Sequence, residues 1–125
     1  MIKSIAGILI ALSLIVAGAF YENAVIKKNF GEFESAVNCL YEKTSQQTAN
    51  KEDALSLVLT WREKKRILHI FIPHTGISEI ELWISETLTL IENGKYDDAK
   101  SKLDVLRELT GEIPKNFGFS LSNLL

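Results

Sequence analysis

The feature that most limits what this chain can fold into is a run of 18 residues without a charge, Ser4 to Tyr21. It reads Ser-Ile-Ala-Gly-Ile-Leu-Ile-Ala-Leu-Ser-Leu-Ile-Val-Ala-Gly-Ala-Phe-Tyr. As a helix it rises about 1.5 Å per residue and spans roughly 27 Å, close to the hydrocarbon thickness of a bilayer. Lys3 precedes the run and Glu22 follows it, with Phe20 and Tyr21 placed where an aromatic belt meets the headgroups. Two readings compete. The first is a retained single-pass anchor. The second is a signal peptide, with Lys3 as a minimal positive region and Ala17-Gly18-Ala19 as the small-x-small site before a cut at Phe20. The anchor is favoured, because the run passes into helix-compatible sequence without a breaker. Lys3 and the α-amino group lie on one side, and Lys27 and Lys28, partly offset by Glu22, on the other. That asymmetry is modest, and the reading places the bulk of the chain outside the cytoplasm. Within the run, Gly7 with Ala11 and Ser13 with Ala17 have the small-xxx-small spacing that lets a second membrane helix approach, a spacing also common by chance in such segments.

The whole chain has 125 residues, enough for one domain beside the apolar segment. Of its 14 Lys and Arg only Lys3 precedes the segment's end, so 13 cations face 16 acids in the remainder, a net of −3. That balance excludes a nucleic-acid footprint and argues against a polybasic membrane patch. Cys39 is the single cysteine, so no internal disulfide can form. A core of helices, or a partner, must hold the remainder together.

Past the segment, Ile26, Phe30, Phe33, Val37 and Leu40 recur at helical spacing and form one stripe, predicting an unbroken first helix to about Lys43. A polar connector, 44–49, follows. Asn50 with Asp53 predicts the start of a second helix. Its face is Ala54, Leu57, Val58, Trp61, Leu68, Phe71 and Ile72, and Pro73 ends it. His74-Thr75-Gly76 reads as a joint, and Ser78-Glu79-Ile80-Glu81 as a capping box opening a third helix with Ile80, Trp83, Ile84, Leu88 and Ile91 inward. Asn93-Gly94 stops it. A fourth helix is expected from Tyr96 to Leu109, closed by Thr110-Gly111 and Pro114, with Tyr96, Ala99, Leu103, Leu106 and Ile113 in phase. The tail alternates apolar residues from Phe117 to Leu125 and is expected to pack on the bundle or on a neighbour. The turn Asn93–Ala99 resembles one tetratricopeptide hairpin, but a lone hairpin cannot build a solenoid. The expected architecture is all-α: an N-terminal transmembrane helix, residues 1–21, then an antiparallel helical bundle, residues 22–125, of about four helices counting the extension of the anchor helix.

The order Trp61-Arg62-Glu63-Lys64-Lys65, Ile72-Pro73-His74, Ile77 with Ile80-Glu81, and a terminal Ser122-Asn123-Leu124-Leu125 resembles a bacterial family, the domain-of-unknown-function family four-three-six-three, found mainly in clostridial-type Firmicutes. Pro73 and Gly76 depart from its usual pattern, which has a helix-compatible residue at the first position and often an acid at the second. The resemblance extends over the whole length and implies small membrane-anchored helical proteins; it implies no activity.

No hydrolase elbow, zinc-protease helix, phosphate loop or Cys/His nucleophile pair is present, so neither an enzyme, a cofactor nor a metal is expected. Asp97 and Asp98 stand at a helix start, where they oppose the dipole. The candidate interaction or pocket residues are Trp61, His74 and Trp83. The tryptophans can line a ligand pocket but fall on or beside apolar stripes, as core residues do. His74 can act as a ligand or pH switch, but His69 and Glu79 lie five residues away on either side, which is poor helical ligand spacing. It can equally cap the joint. Arg62, Lys64, Lys65 and Arg66 can meet anionic headgroups or cell-wall polymers, or form a solvated face. Cys39 can form an intermolecular disulfide, but beside the Val37/Leu40 stripe a half-buried free thiol is expected. The resulting expectation is a membrane-anchored accessory or interaction protein with a possible integral-membrane or envelope protein partner. The alternatives are an extracytoplasmic ligand- or metal-sensing module, and a secreted soluble protein cut near Ala19.

Overall fold

The computed structural model describes residues 2–117 and contains four helices among them: α1 (Ile2–Ser45), α2 (Lys51–Leu68), α3 (His74–Glu92) and α4 (Tyr96–Phe117). Each packs on its neighbours in chain order, and α4 closes back on α1. The result is an up-down-up-down bundle, the arrangement short connections favour. The alternating tail residues 118–125, including the Ser122–Leu125 end, lie outside the described residues.

The stripe on α1 forms the centre of the fold. Ile26, Phe30, Phe33, Val37 and Leu40 are all buried, and the same stripe ends at Thr44, whose hydroxyl donates to the Leu40 carbonyl at 2.7 Å. Ala54, Leu57, Trp61 and Leu68 of α2, Ile77, Ile80, Ile84 and Ile91 of α3, and Ala99, Leu103, Leu106 and Ile113 of α4 complete the core. Before Tyr21 the same helix is not packed against the other described helices. Apart from half-buried Ala19, the apolar residues from Ile2 to Tyr21 are exposed, so α1 is one helix with two environments.

Three expected helix limits are corrected. The second helix ends at Leu68 rather than Ile72, because the amides of Ile70, Phe71 and Ile72 turn back to the carbonyls of Ile67 and Leu68 and swing Ile72 under α3. The third helix begins at His74, with Pro73 as its N-cap, and Ser78 does not cap it. The stripe Ile77, Ile80, Ile84, Thr87 and Ile91 already starts before Ser78, so its burial requires a helix there. Glu81 instead pairs with Lys65. The fourth helix continues through Gly111 and Pro114 to Phe117. Its buried stripe Ala99, Leu103, Leu106, Thr110 and Ile113 needs the extra turn. Packing therefore outweighs the amide that Pro114 lacks. Gly76 is buried at this end, where a Cβ would lie 3.2 Å from Ile72 and 4.0 Å from Ile113. An acidic side chain there would be forced into the core.

Two turns at the far end of the bundle share one geometry. At Asn93-Gly94, Lys95 N–H donates to Leu90 at 2.9 Å and Gly94 N–H to Ile91 at 3.0 Å, with Gly94 at φ 71°. At the end of α1, Thr48 N–H donates to Lys43 at 2.9 Å and Gln47 N–H to Thr44 at 3.0 Å, with Gln47 at φ 59°. Both are paired-bond helix stops that need a left-handed residue. Glycine adopts that conformation freely, whereas glutamine is strained there. Gln47→Gly should therefore raise the unfolding stability of the full chain in detergent by about 1 kcal/mol. Thermal unfolding followed by circular dichroism reads this, and a loss of stability would contradict the account of this turn.

Candidate functional site

The three residues singled out from the sequence do not converge. Trp61 is 2% exposed and packs its ring on Phe33, with centroids 5.1 Å apart and planes at 56°. Trp83 is half-buried on α3, and the Lys102 ammonium of α4 sits 4.9 Å from its ring centroid. Their Nε1 atoms are buried without a hydrogen-bond partner among the described residues. His74 is exposed at the start of α3, with Nε2 3.4 Å from the Ser78 hydroxyl. Nine residues of helix separate His74 from Trp83, a rise of about 13 Å. One small ligand cannot touch all three. Among the described residues there is no group of three or more His, Cys, Asp or Glu placed to hold a metal.

Two of the four cations in the run on α2 are engaged by other helices. Lys64 pairs with Glu32 of α1, and Lys65 with Glu81 of α3 at 3.0 Å. Arg62 and Arg66 are exposed. Lys43 and Asp53 join α1 to α2 at 2.9 Å, and Lys102 and Glu86 join α3 to α4 at 3.4 Å. Between α4 and α1, Lys100 and Arg107 lie over the Tyr41 ring at 5.6 and 4.8 Å. Such exposed pairs contribute little stability each. Their use is to set which residues of neighbouring helices stand level.

Clefts lie away from the sequence candidates. One, of about 530 Å³, is an open depression at the far end of the bundle lined by Gln47, Gly94, Lys95, Tyr96, Asp97 and Asp98. Tyr96 donates from its hydroxyl to the Ala49 carbonyl at 3.1 Å beside it. Another, of about 210 Å³, runs between α1 and α2 beside Cys39, Lys43 and Asp53. Cys39 is exposed there rather than half-buried. The one acid of the second cleft is engaged twice over: besides its pair with Lys43, Asp53 accepts from the Asn50 amide at 3.0 Å, while the Asn50 side chain accepts from Asp53 N–H at 2.9 Å. That reciprocal box is the N-terminus expected for α2.

The surface that most needs an explanation is the apolar length of α1. It is long and apolar enough to cross a membrane, and none of its apolar window is buried among the described residues. A second surface feature was missed in the sequence. Ile70 is 69% exposed in the α2–α3 turn, off the Trp61/Leu68/Ile72 stripe. Pro73 signalled a break there, but not which side chains the turn would expel.

A family model described as a domain of unknown function (DUF4363) matches residues 20–124, and the chain belongs to that family. The match begins at the end of the apolar run and so covers the bundle rather than the whole length. No curated protein and no solved structure matches the chain.

Two outcomes follow. Trp61→Ala should lower unfolding stability by about 3–5 kcal/mol, as removal of a core aromatic does, whereas His74→Ala should stay within about 0.5 kcal/mol. Denaturant titration of the two variants checks both; the reverse ranking would mean that His74 carries a structural load its exposure denies. The second concerns pH. The hydrogen bond from Lys43, then that from Asn50 N–H, holds the Asp53 carboxyl below its ordinary value. Lys64 acts likewise on Glu32. A depressed carboxylate stabilises the fold above its unfolded value and loses that contribution as pH falls through the folded one. The Asp53 contribution should thus be complete above pH 3.8 and drain away below it. Asp53→Asn should flatten that acid limb in a stability-against-pH series, and an unchanged limb would remove the pair from the explanation.

Proposed function

We propose that this chain is a membrane-anchored helical module that works by interaction rather than catalysis, an accessory or scaffold for another membrane or envelope protein. The observation carrying this reading is the uncovered apolar length of α1, continuous with the helix that forms the bundle's core. No hinge separates anchor from bundle: the helix passes from Tyr21 to Ile26 without a break. A rigid junction of this kind holds a folded domain at a set height and orientation against the bilayer. The bundle's engaged charges and scattered, non-convergent tryptophans support a protein that presents surfaces to a partner. In this reading the bundle lies on the outer side, with Lys3 and the amino terminus inside.

A specific observation favours a second reading. The family match starts at Phe20, the residue after Ala17-Gly18-Ala19, which is where a signal peptidase would cut. Cleavage there would leave a secreted bundle whose first helix starts a few residues before Ile26. Intact-mass measurement of the mature protein separates the two forms by the mass of residues 1–19.

Membranes washed with alkaline carbonate should retain the full-length chain. Proteinase added to whole cells should then degrade the bundle and leave a fragment of the apolar segment. Release by carbonate removes the anchor, and protection of the bundle in whole cells but not in lysed ones reverses its orientation.

A further inference from the structure

The ion pairs between α1 and α2 give their relative height. Asp53 stands opposite Lys43, and Lys64 opposite Glu32. Eleven residues forward on α2 thus correspond to eleven back on α1, as two antiparallel helices of equal rise require. The Phe33–Trp61 contact obeys the same register to within two residues. Six residues beyond Lys64, Ile70 is level with Ile26, about 7 Å along α1 from Tyr21. The α2–α3 turn therefore lies at the end of the bundle nearest the apolar run. The C-terminal part of α4 returns to the same end, since Ile113 lies beside Gly76.

Headgroups occupy a layer roughly 5–8 Å deep on each side of the hydrocarbon. With Phe20 and Tyr21 at the hydrocarbon edge, the turn falls within or against that layer. Its tip carries an exposed apolar side chain, Ile70, which is 69% exposed. Exposure alone does not single it out, because Leu59 is 62% and Leu82 is 55% exposed. Height does. The same register places Leu59 level with residue 37 of α1, about 24 Å from Tyr21. The Lys65–Glu81 pair places Leu82 about 16 Å from it. Of these exposed residues, Ile70 is the one at the height of the interface.

We propose that the α2–α3 turn is a second membrane contact, a wedge in which Ile70 inserts into the headgroup layer of the bilayer that α1 crosses. The proposal rests on reading α1 as a membrane span. Its chemistry is apolar insertion, as in interfacial helices. Among the described side chains, Lys27, Lys28 and Arg66 at this end are offset by Glu22, Glu79 and Glu112, so charge contributes little. Zwitterionic lipid is therefore sufficient. Two contacts, one through the bilayer and one on it, fix the rotation of the bundle about α1, which a single anchor leaves free.

The test uses the full chain with Cys39→Ser, reconstituted in phosphatidylcholine bilayers. Single nitroxide labels are placed through Ile10→Cys, Leu59→Cys, Ile70→Cys or Leu82→Cys, all at exposed positions. Power-saturation spectroscopy compares collision with oxygen, which partitions into lipid, and with a water-soluble nickel chelate. The label at 70 should favour oxygen over nickel several-fold relative to those at 59 and 82, approaching the label at 10. If 10 is immersed while 70 matches 59 and 82, the wedge is wrong and the anchor stands. If 10 is itself as open to nickel as 59, the anchor reading falls and the wedge with it. A label at 70 shielded from both reagents means a protein, not lipid, covers the turn, and overturns the proposal.

Discussion

The structure depends on how α1 divides its apolar surface. From Ile26 to Leu40 the apolar residues keep to one stripe, and three other helices cover it. From Ile2 to Tyr21 they surround the helix, and no stripe-sided partner could cover them all. The hydrophobic effect acts on both lengths, but only the striped length leaves a polar face for water. One continuous backbone therefore joins a segment suited to lipid to a segment suited to a core. The Phe33–Trp61 contact lies near the middle of the second, with both rings essentially removed from water.

Around that stripe, the charged residues determine register more than stability. Lys43 with Asp53, Lys64 with Glu32, Lys65 with Glu81 and Lys102 with Glu86 each bridge helices that are neighbours in chain order. The cations on Tyr41 serve the closing contact between α4 and α1. Apolar stripes alone tolerate sliding by a turn, whereas a set of pairs at matched heights does not. This is how a long first helix comes to have one end of the bundle beside its apolar run. The same pairs withdraw two lysines from the α2 run that otherwise resembles a headgroup-binding patch.

Much of the fold was legible because helical burial leaves a periodic trace. The stripe of α1, the Asn50–Asp53 box and the Asn93-Gly94 stop are local signals, and each is present. The errors fell where a local signal competed with distant packing. Ser78 and Glu81 match a capping box in spacing, yet Ile77 had to be helical to reach the core. Gly111 and Pro114 are breakers in isolation, yet Ile113 is buried one turn beyond Thr110. The candidate residues fared similarly. Trp61 and Trp83 carried correct apolar phase, but phase does not reveal that one faces Phe33 while the other lies under Lys102.

By itself, the sequence determined that the chain is helical, that one helix carries a bilayer-length apolar run, and that residues past Ile26 bury a single stripe. These follow from periodicity and charge spacing, which any stretch of chain carries locally. Tertiary structure decided where α2, α3 and α4 begin and end, which charges are spent between helices, and that Ile70 is expelled at the end of the bundle nearest the apolar run. Those outcomes depend on residues far apart in the chain reaching the same height, and the free energy of burying a distant partner exceeds the local preference of a serine, glycine or proline.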